Sequence, residues 1–576
     1  MTAANARTTV ATEDALPSHP GEAQAGFRWW EPLLVAMCAA LYLWLMQSRA
    51  PNGDGRVYIR IIESGSIVWN PNHLLMAPIG VLWYRLVQAV GLSWSIFTAL
   101  QVLAGIAGTA AVAILYWAVP FASKRIRLLT VAAIFFSAEF MSMALAEEYF
   151  VVQMPLLAAL FGLGVRVVCE DNAAREGRRL AAMGVLAALA AAISINNAVL
   201  AIALGPLMAF RKLTDQRTAF RRLLQLWGPG VLVGLPVLLL CYAVSDTTHG
   251  LISWLTSYQG DPTGGGTALY GIRWTPQGVL VGAARLVYGF VNCLVVLGQL
   301  GAAGKALLFR QPIEFQLEIA SVVSTALLFV TIGGLTLGFC WWLIRVGYKR
   351  PLVRFGLGWM GAYLLFNFIF SDISDQFWFQ ILLPLWTLLA VFASDPTGTS
   401  DRSQSRWTGW SQRALATSAL LLFVGTTLGV AAPRAFNDAS AFTASFQSIL
   451  RDGDLLITTG WDDMAWVVAR DRGSVRRVLL METAMQDYKD HRTFDALIAD
   501  VEAQLHGGGR VLIARLYDKD QEGRPWEQLA KLGWPRARIQ GLFGGYDTEV
   551  VGTVGGVVVR RLTLKEGSAK ASVSPH

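Results

Sequence analysis

Charge is what this sequence has little of. Asp, Glu, Lys and Arg together make up 15% of its 576 residues, against 54% hydrophobic ones. A soluble chain carries about 25% charged residues. So thin a charge excludes one large soluble globular body. Cysteine is scarce as well: Cys38, Cys169, Cys241, Cys293 and Cys340 are the full set. None lies in the polar C-terminal region, and no pair has metal-binding spacing. A disulfide framework and a cysteine metal site are therefore excluded. The chain also lacks a Walker motif, a dinucleotide fingerprint and an internal repeat. P-loop hydrolysis, Rossmann-type cofactor binding and solenoid folds go with them.

What is present is apolar length. Mean hydropathy is +0.45 and net charge +8. The positive charge sits in short runs between apolar stretches: Lys124-Arg125-Ile-Arg127, Arg178-Arg179, Arg211-Lys212, Arg221-Arg222 and Lys349-Arg350. Such runs mark cytoplasmic loops of a membrane protein and carry no nucleic-acid signature. Residues 1–28 are polar and read as a disordered cytoplasmic N-terminus. The apolar run from Trp29 to Met46 is too long and too deep for a signal peptide and reads as a retained anchor.

Apolar stretches predict spans near 29–47, 95–118, 127–145, 150–168, 180–195, 197–210, 223–244, 319–345, 354–371, 376–394 and 411–432. Two more stretches, 74–91 and 278–300, are ambiguous. Leaving both uncrossed places every strong basic run in the cytoplasm. That gives about eleven transmembrane helices. The loops 48–94, 245–318 and 372–375, and everything after 433, then lie outside.

After about residue 433 the pattern changes. Asp454-Leu-Leu-Ile-Thr-Thr-Gly460, Arg477-Val-Leu-Leu480 and Arg510-Val-Leu-Ile-Ala-Arg515 read as strands. Phe494–Leu505 reads as a helix stopped by Gly507-Gly-Gly509. The fold class is thus mainly α and polytopic, with a small extracytoplasmic α/β domain over 433–565 and a loose tail over 566–576. In that domain Gly460-Trp-Asp-Asp463 is either a strand-end ligand loop or a capped turn.

The residues able to carry chemistry cluster in the outer loops. Asp54 stands between Gly53 and Gly55, which leave a carboxylate uncrowded. Tyr58, Arg56 and Arg60 follow. Asp54 is either a helix N-cap or a reacting group. His73 closes Asn70-Pro-Asn-His73, a turn where the chain re-enters the interface. Ala146-Glu147-Glu148-Tyr149 puts two carboxylates between the third and fourth spans. Ionisable groups at membrane depth are expensive, which makes function the default reading, with a solvated turn as its rival. Asn196-Asn197 interrupts about thirty apolar residues and reads as a turn between spans. Asp372 and Asp375 read as loop. The long outer loop holds Asp261-Pro-Thr-Gly-Gly-Gly266 with Arg273, Lys305 and Arg310. It is either a phosphate cradle or a flexible connection.

Together these pieces resemble the GT-C superfamily of polytopic glycosyltransferases, in its bacterial protein O-mannosyltransferase-like branch. The resemblance rests on Asp54 after the first span, Tyr58 soon after it, Asn70-Pro-Asn-His73-Leu-Leu-Met-Ala-Pro78, and Ala146-Glu147-Glu148-Tyr149. It covers about the first 250 residues, with a seven-span core over 29–244 and further helices over 319–432. It implies sugar transfer from a polyprenyl-phosphate-linked donor at the outer face of the plasma (inner) membrane. The acceptor would be a glycan, lipid or protein, and nucleic acid is not a partner. Asp54 would be general base and Glu147 the second catalytic carboxylate. Tyr58, His73, Glu148, Tyr149, Arg273 and Arg310 would bind substrate. The resemblance implies no particular cofactor, and a divalent cation held by Glu147 or Glu148 is an alternative to basic side chains. The rival readings are a transporter or lipid flippase, and a non-catalytic component of an envelope assembly.

Overall fold

The computed structural model describes residues 28–48, 59, 62, 73–245, 250–256, 275–294, 316–370, 378–394 and 402–565, apart from short interior stretches. The N-terminal half contains α1 (Trp30–Leu45), α2 (Met76–Ala89), α3 (Ile96–Ala118), α4 (Lys124–Phe135), α5 (Ala138–Ala144), α6 (Met154–Cys169), α7 (Ala173–Ile193), α8 (Ala198–Ala209) and α9 (Gln216–Ala243). There follow α10 (Pro276–Asn292), α11 (Gln316–Arg345), α12 (Pro351–Phe370), α13 (Phe379–Ser394) and α14 (Arg402–Thr426).

Among the described residues, six helices are long and apolar enough to cross a membrane, or seven if one bent pair is a single span. Three shorter apolar segments, Trp30–Leu45, Ile195–Ala209 and Phe379–Ser394, accompany them. Several starts are chemically marked. Ser95 caps α3 by accepting from the Thr98 N–H at 3.1 Å. Thr275 caps α10 by accepting from the Gly278 N–H at 3.1 Å, with Pro276 in the first turn. An N-cap oxygen and an early proline both suit the unpaired donors of a helix start.

The stretch 127–145, expected as one straight span, is bent by 67° between α4 and α5. Side chains compete there for the helix's own carbonyls. The Ser137 hydroxyl donates to Ala133 O at 2.7 Å and accepts from Trp386 Nε1 at 3.1 Å. The Thr426 hydroxyl donates to Phe136 O at 2.6 Å. Such insertions into the ladder are a recognised cause of kinks.

Contacts sort the bundle into two ends. At one, Lys124 bonds Glu31, Arg222 Nε lies 2.6 Å from Glu176 Oε1, and Arg179 pairs with Glu170. The Arg166 guanidinium stacks on Trp117, 3.5 Å from its ring centroid, which joins the ends of α6 and α3. Phe355, one turn into α12, stacks on Phe161 of α6 at 5.7 Å. The basic runs around residues 124, 179 and 222 thus share one end and are partly paired there.

The other end collects the chain after α1. The Ser48 N–H donates to Leu145 O at 3.1 Å, and Gln101 Nε2 donates to Ser48 O at 2.6 Å. The Leu75 N–H, just before α2, donates to Ala192 O at 3.0 Å near the end of α7. Both the start of α2 and the start of α3 therefore lie at this second end. Helix α2, 14 residues long, spans about 21 Å and returns to the end it left.

The C-terminal region contains α15 (Ala439–Ile449), β1 (Leu455–Thr458), β2 (Arg476–Leu479), α16 (Thr493–His506), β3 (Val511–Ala514), α17 (Arg536–Leu542), β4 (Tyr546–Val554) and β5 (Val557–Leu564). Its five-stranded sheet has the order β2-β1-β3-β5-β4. Strands β2, β1 and β3 are parallel, and the β4–β5 hairpin closes one side antiparallel. Leu455, Ile457, Val511 and Ile513 are buried against Phe494 of α16. The parallel strands and α16 are those the sequence pattern predicts. The hairpin was not anticipated, although Gly555-Gly556 between two valine-rich runs is a hairpin signal.

Candidate active site

The second end of the bundle brings together two of the stretches singled out by sequence. His73 Nδ1 lies 3.3 Å from the Ile193 carbonyl. A carbonyl only accepts, so Nδ1 carries the proton. Together with the Leu75 N–H on Ala192 O, this pairs two of the carbonyls that end α7 would otherwise leave open. The His73 ring also meets Phe150 edge-on, with centroids 5.4 Å apart and planes at 89°. Phe150 is 1% exposed and belongs to the 3-10 turn Tyr149–Gln153, directly after Glu147-Glu148. His73 thus meets the 3-10 turn that follows Glu147-Glu148 in the sequence.

Burial pushes the His73 imidazole down to about 4, against the smaller opposing pull of the Ile193 carbonyl. The ring is neutral at neutral pH. A depressed folded value means that folding favours the uncharged ring. Its stabilisation is complete above the unfolded value of about 6.5 and is lost as pH falls from there through about 4. We expect thermal unfolding in detergent to lose up to about 3 kcal/mol more across that window in the wild type than in His73→Gln. Parallel pH profiles for the two would refute it.

Asp54, Tyr58, Glu147, Glu148, Arg273 and Arg310 lie outside the described residues, as do Asp261–Gly266 and Gly460–Asp463. Tyr149 is placed in its backbone, where it opens the 3-10 turn. The chain after Asp54 is fixed at two points. Ile59 and Ile62 are helical and buried in the bundle core, at 1% and 8% exposure. Ile62 Cδ1 lies 3.0 Å from where a Cβ on Gly80 of α2 would stand. Asp54 is five residues from Ile59, within roughly 18 Å of it even if fully extended.

Sequence reasoning missed the residues that tie this end together. Asn197 is buried in the 3-10 turn Ile195–Asn197. Its Nδ2 donates to Gln153 Oε1 and, at 2.9 Å, to Ala190 O. Its Oδ1 accepts from the Tyr363 hydroxyl at 2.6 Å. One side chain thus joins the turn before α6 to α7 and α12. The turn was expected, its bridging role was not. The available signal was a pair of amides inside a long apolar run. Glu139 was also passed over. It is 1% exposed, its carboxylate accepts from the Trp378 N–H at 3.1 Å, and its own N–H donates to Cys293 O at 3.2 Å. A lone carboxylate within the apolar stretch 127–145 was the signal there. Among the described residues, no group of three His, Cys, Asp or Glu side chains could hold a metal ion. None of the five cysteines is in a disulfide.

No protein-family model matches the chain, and no curated protein matches its sequence. Solved structures do match its fold. ArnT from Cupriavidus metallidurans in the apo state aligns over 92% of this chain and 97% of its own, at 12% identity and a TM-score of 0.51. The same protein bound to undecaprenyl phosphate aligns over the same shares, at 11% identity and a TM-score of 0.50. The Archaeoglobus fulgidus oligosaccharyltransferase in the apo form aligns over 92% of this chain and 74% of its own, at 12% identity and a TM-score of 0.48.

Proposed function

We propose that this chain, whose fold is the GT-C fold, is a membrane glycosyltransferase using a polyprenyl-phosphate-linked sugar. The observation that carries the reading is the junction of His73 with Phe150 and Ile193. It supports the reading because His73 meets the turn that follows the double-glutamate segment in sequence, at the end of the bundle opposite the paired basic runs. Support comes from ArnT, a structure of this fold that is bound to undecaprenyl phosphate.

In this reading Asp54 takes the proton of an acceptor hydroxyl as its oxygen bonds to the anomeric carbon. A carboxylate is a weak base, but the hydroxyl acidifies as the bond forms. The anomeric carbon–oxygen bond breaks on the opposite side, with inversion, and the electron pair leaves on the lipid phosphate. That growing charge needs fixed cations, for which Arg273 and Arg310 are the proposed pair, since guanidinium forks match phosphate oxygens. Glu147 is the second proposed catalytic carboxylate. Tyr58, Glu148 and Tyr149 are proposed to line the sugar, with His73 as a neutral donor-side contact. Glu147 and Glu148 are hard oxygen donors of the kind a divalent cation takes. Such an ion, when bound, would add Lewis-acid charge at the phosphate. The protein O-mannosyltransferase-like subtype is proposed on the sequence motifs alone.

The paired basic end is assigned to the cytoplasm of a plasma (inner) membrane, with the N-terminus on the same side. The site and the α/β region then lie outside. A cysteine introduced at position 125 should resist impermeant thiol reagents in intact cells. Labelling there would overturn this orientation. The test of the activity is turnover by purified protein of short-chain polyprenyl-phosphate sugars, read as release of bare lipid phosphate. A complete lack of release across hexoses and pentoses, with folding intact, would overturn the reading.

A further inference from the structure

Beside the Asn197 bridge lies a group of polar atoms that the protein leaves unmatched. Asn196 is 1% exposed, yet neither its Nδ2 nor its Oδ1 makes a hydrogen bond. Gln153 Nε2 and Ser194 Oγ, on residues 0% and 1% exposed, are unmatched too. Each such atom costs about 1–3 kcal/mol when buried unpaired. One orphan is common in a native structure, but donors and acceptors on three residues of two turns linked by Asn197 need an explanation.

These atoms are fixed next to the site just described. Gln153 ends the 3-10 turn that contains Phe150. Its Oε1 is held by Asn197, which leaves Nε2 as the unpaired end of a positioned amide. Ser194 precedes, and Asn196 lies within, the turn whose preceding carbonyls, Ala192 and Ile193, are bonded by the Leu75 N–H and by His73. The set is neutral and two-sided. A primary amide offers two donors and one acceptor oxygen, and a hydroxyl offers one donor and two lone pairs. A phosphate would use only the donors. A sugar diol, which both donates and accepts, matches the whole set.

We infer that Asn196, Gln153 and Ser194 form a subsite for sugar hydroxyls, placed behind the His73 turn and separate from the groups that meet the lipid phosphate. The inference rests on the glycosyltransferase reading and names the part of the site that recognises the sugar. The three residues are binding residues for one end of the donor, and the reacting atoms lie elsewhere.

The test separates sugar from lipid phosphate. Binding of short-chain polyprenyl-phosphate hexoses and pentoses, and of bare polyprenyl phosphate, is measured on wild type and on Asn196→Leu. Leucine has a similar volume and removes the unpaired amide, so the variant should melt no lower than wild type. Wild type should hold at least one sugar-bearing lipid more tightly than the bare one. Asn196→Leu should lose about ten- to a hundredfold in affinity for that lipid and none for bare lipid phosphate. Asn196→Ala gives the same reading should the larger side chain disturb the turn. Retention of the sugar preference in both variants would overturn the subsite, and equal binding of all lipids by wild type would do the same. Failure of wild type to hold any of these lipids would instead bring down the glycosyltransferase reading itself.

Discussion

Asp54→Asn should stop sugar transfer while leaving the protein folded. General-base catalysis contributes roughly a hundred- to ten-thousandfold, so kcat should fall by at least about a hundredfold. KM should change little, because the amide keeps the shape and polarity of the side chain. The substitution also separates the two readings of this residue. Asparagine caps a helix about as well as aspartate. If Asp54 only starts the helix that carries Ile59 and Ile62, the variant keeps its activity. The measurement is single-turnover transfer from a lipid-phosphate sugar, with thermal unfolding in the same detergent as control. Equal rates in the two proteins would refute the assignment of the base. A rate lost together with melting temperature would point to capping.

The second large effect lies away from the chemistry. Helices α7 and α9 cross so closely that a Cβ on Gly184 would stand 1.8 Å from the Leu226 carbonyl oxygen. A Cβ on Gly230 would stand 2.9 Å from the Gly184 carbonyl oxygen. The obstructing atoms are backbone and cannot rotate away, so the helices must separate. Small residues at such crossings are what lets membrane helices approach at all. Gly184→Leu should therefore cost at least about 3 kcal/mol. Gly105→Ala on α3 is the control, since nothing lies within 4 Å of its Cβ position. That change should be neutral or mildly stabilising, as alanine is the better helix former. Activity should fall with Gly184→Leu as well. The carbonyls that end the same helix, from Ala190 to Ile193, hold Asn197, Leu75 and His73. Melting curves of purified protein decide the matter. A Gly184→Leu curve that overlays the wild type would refute the close crossing.

Much of the architecture was legible in residues. The apolar runs and the basic runs between them follow from the transfer cost of charge into lipid, which acts on each segment separately. Helix α2 illustrates how far that reaches. Charge placement alone asks for an uncrossed 74–91, while the hydrogen bonds of Leu75 and Gln101 tie the starts of α2 and α3 to one end of the bundle. The bend between α4 and α5 was not legible, because it depends on Trp386 and Thr426, some 250 and 290 residues away in sequence. The β4–β5 hairpin, by contrast, has a local signal in Gly555-Gly556 between two valine-rich runs.

The site divides in the same way. Composition and motif determined by themselves that this is a polytopic membrane chain, that its basic runs fall between apolar stretches, and that His73 and the Ala146–Tyr149 stretch are candidate site groups. Those are properties of single segments, fixed by hydropathy, charge and turn chemistry. Only the tertiary structure decided that His73 sits neutral against Ile193 and Phe150. It alone decided that Asn197 ties α7 and α12 to the turn before α6, and that Gln153 meets the turn that holds Asn196 and follows Ser194. Hydrogen-bond pairing between residues far apart in sequence is set by how helices pack, and an amide in an apolar run looks the same whether it is paired or left open.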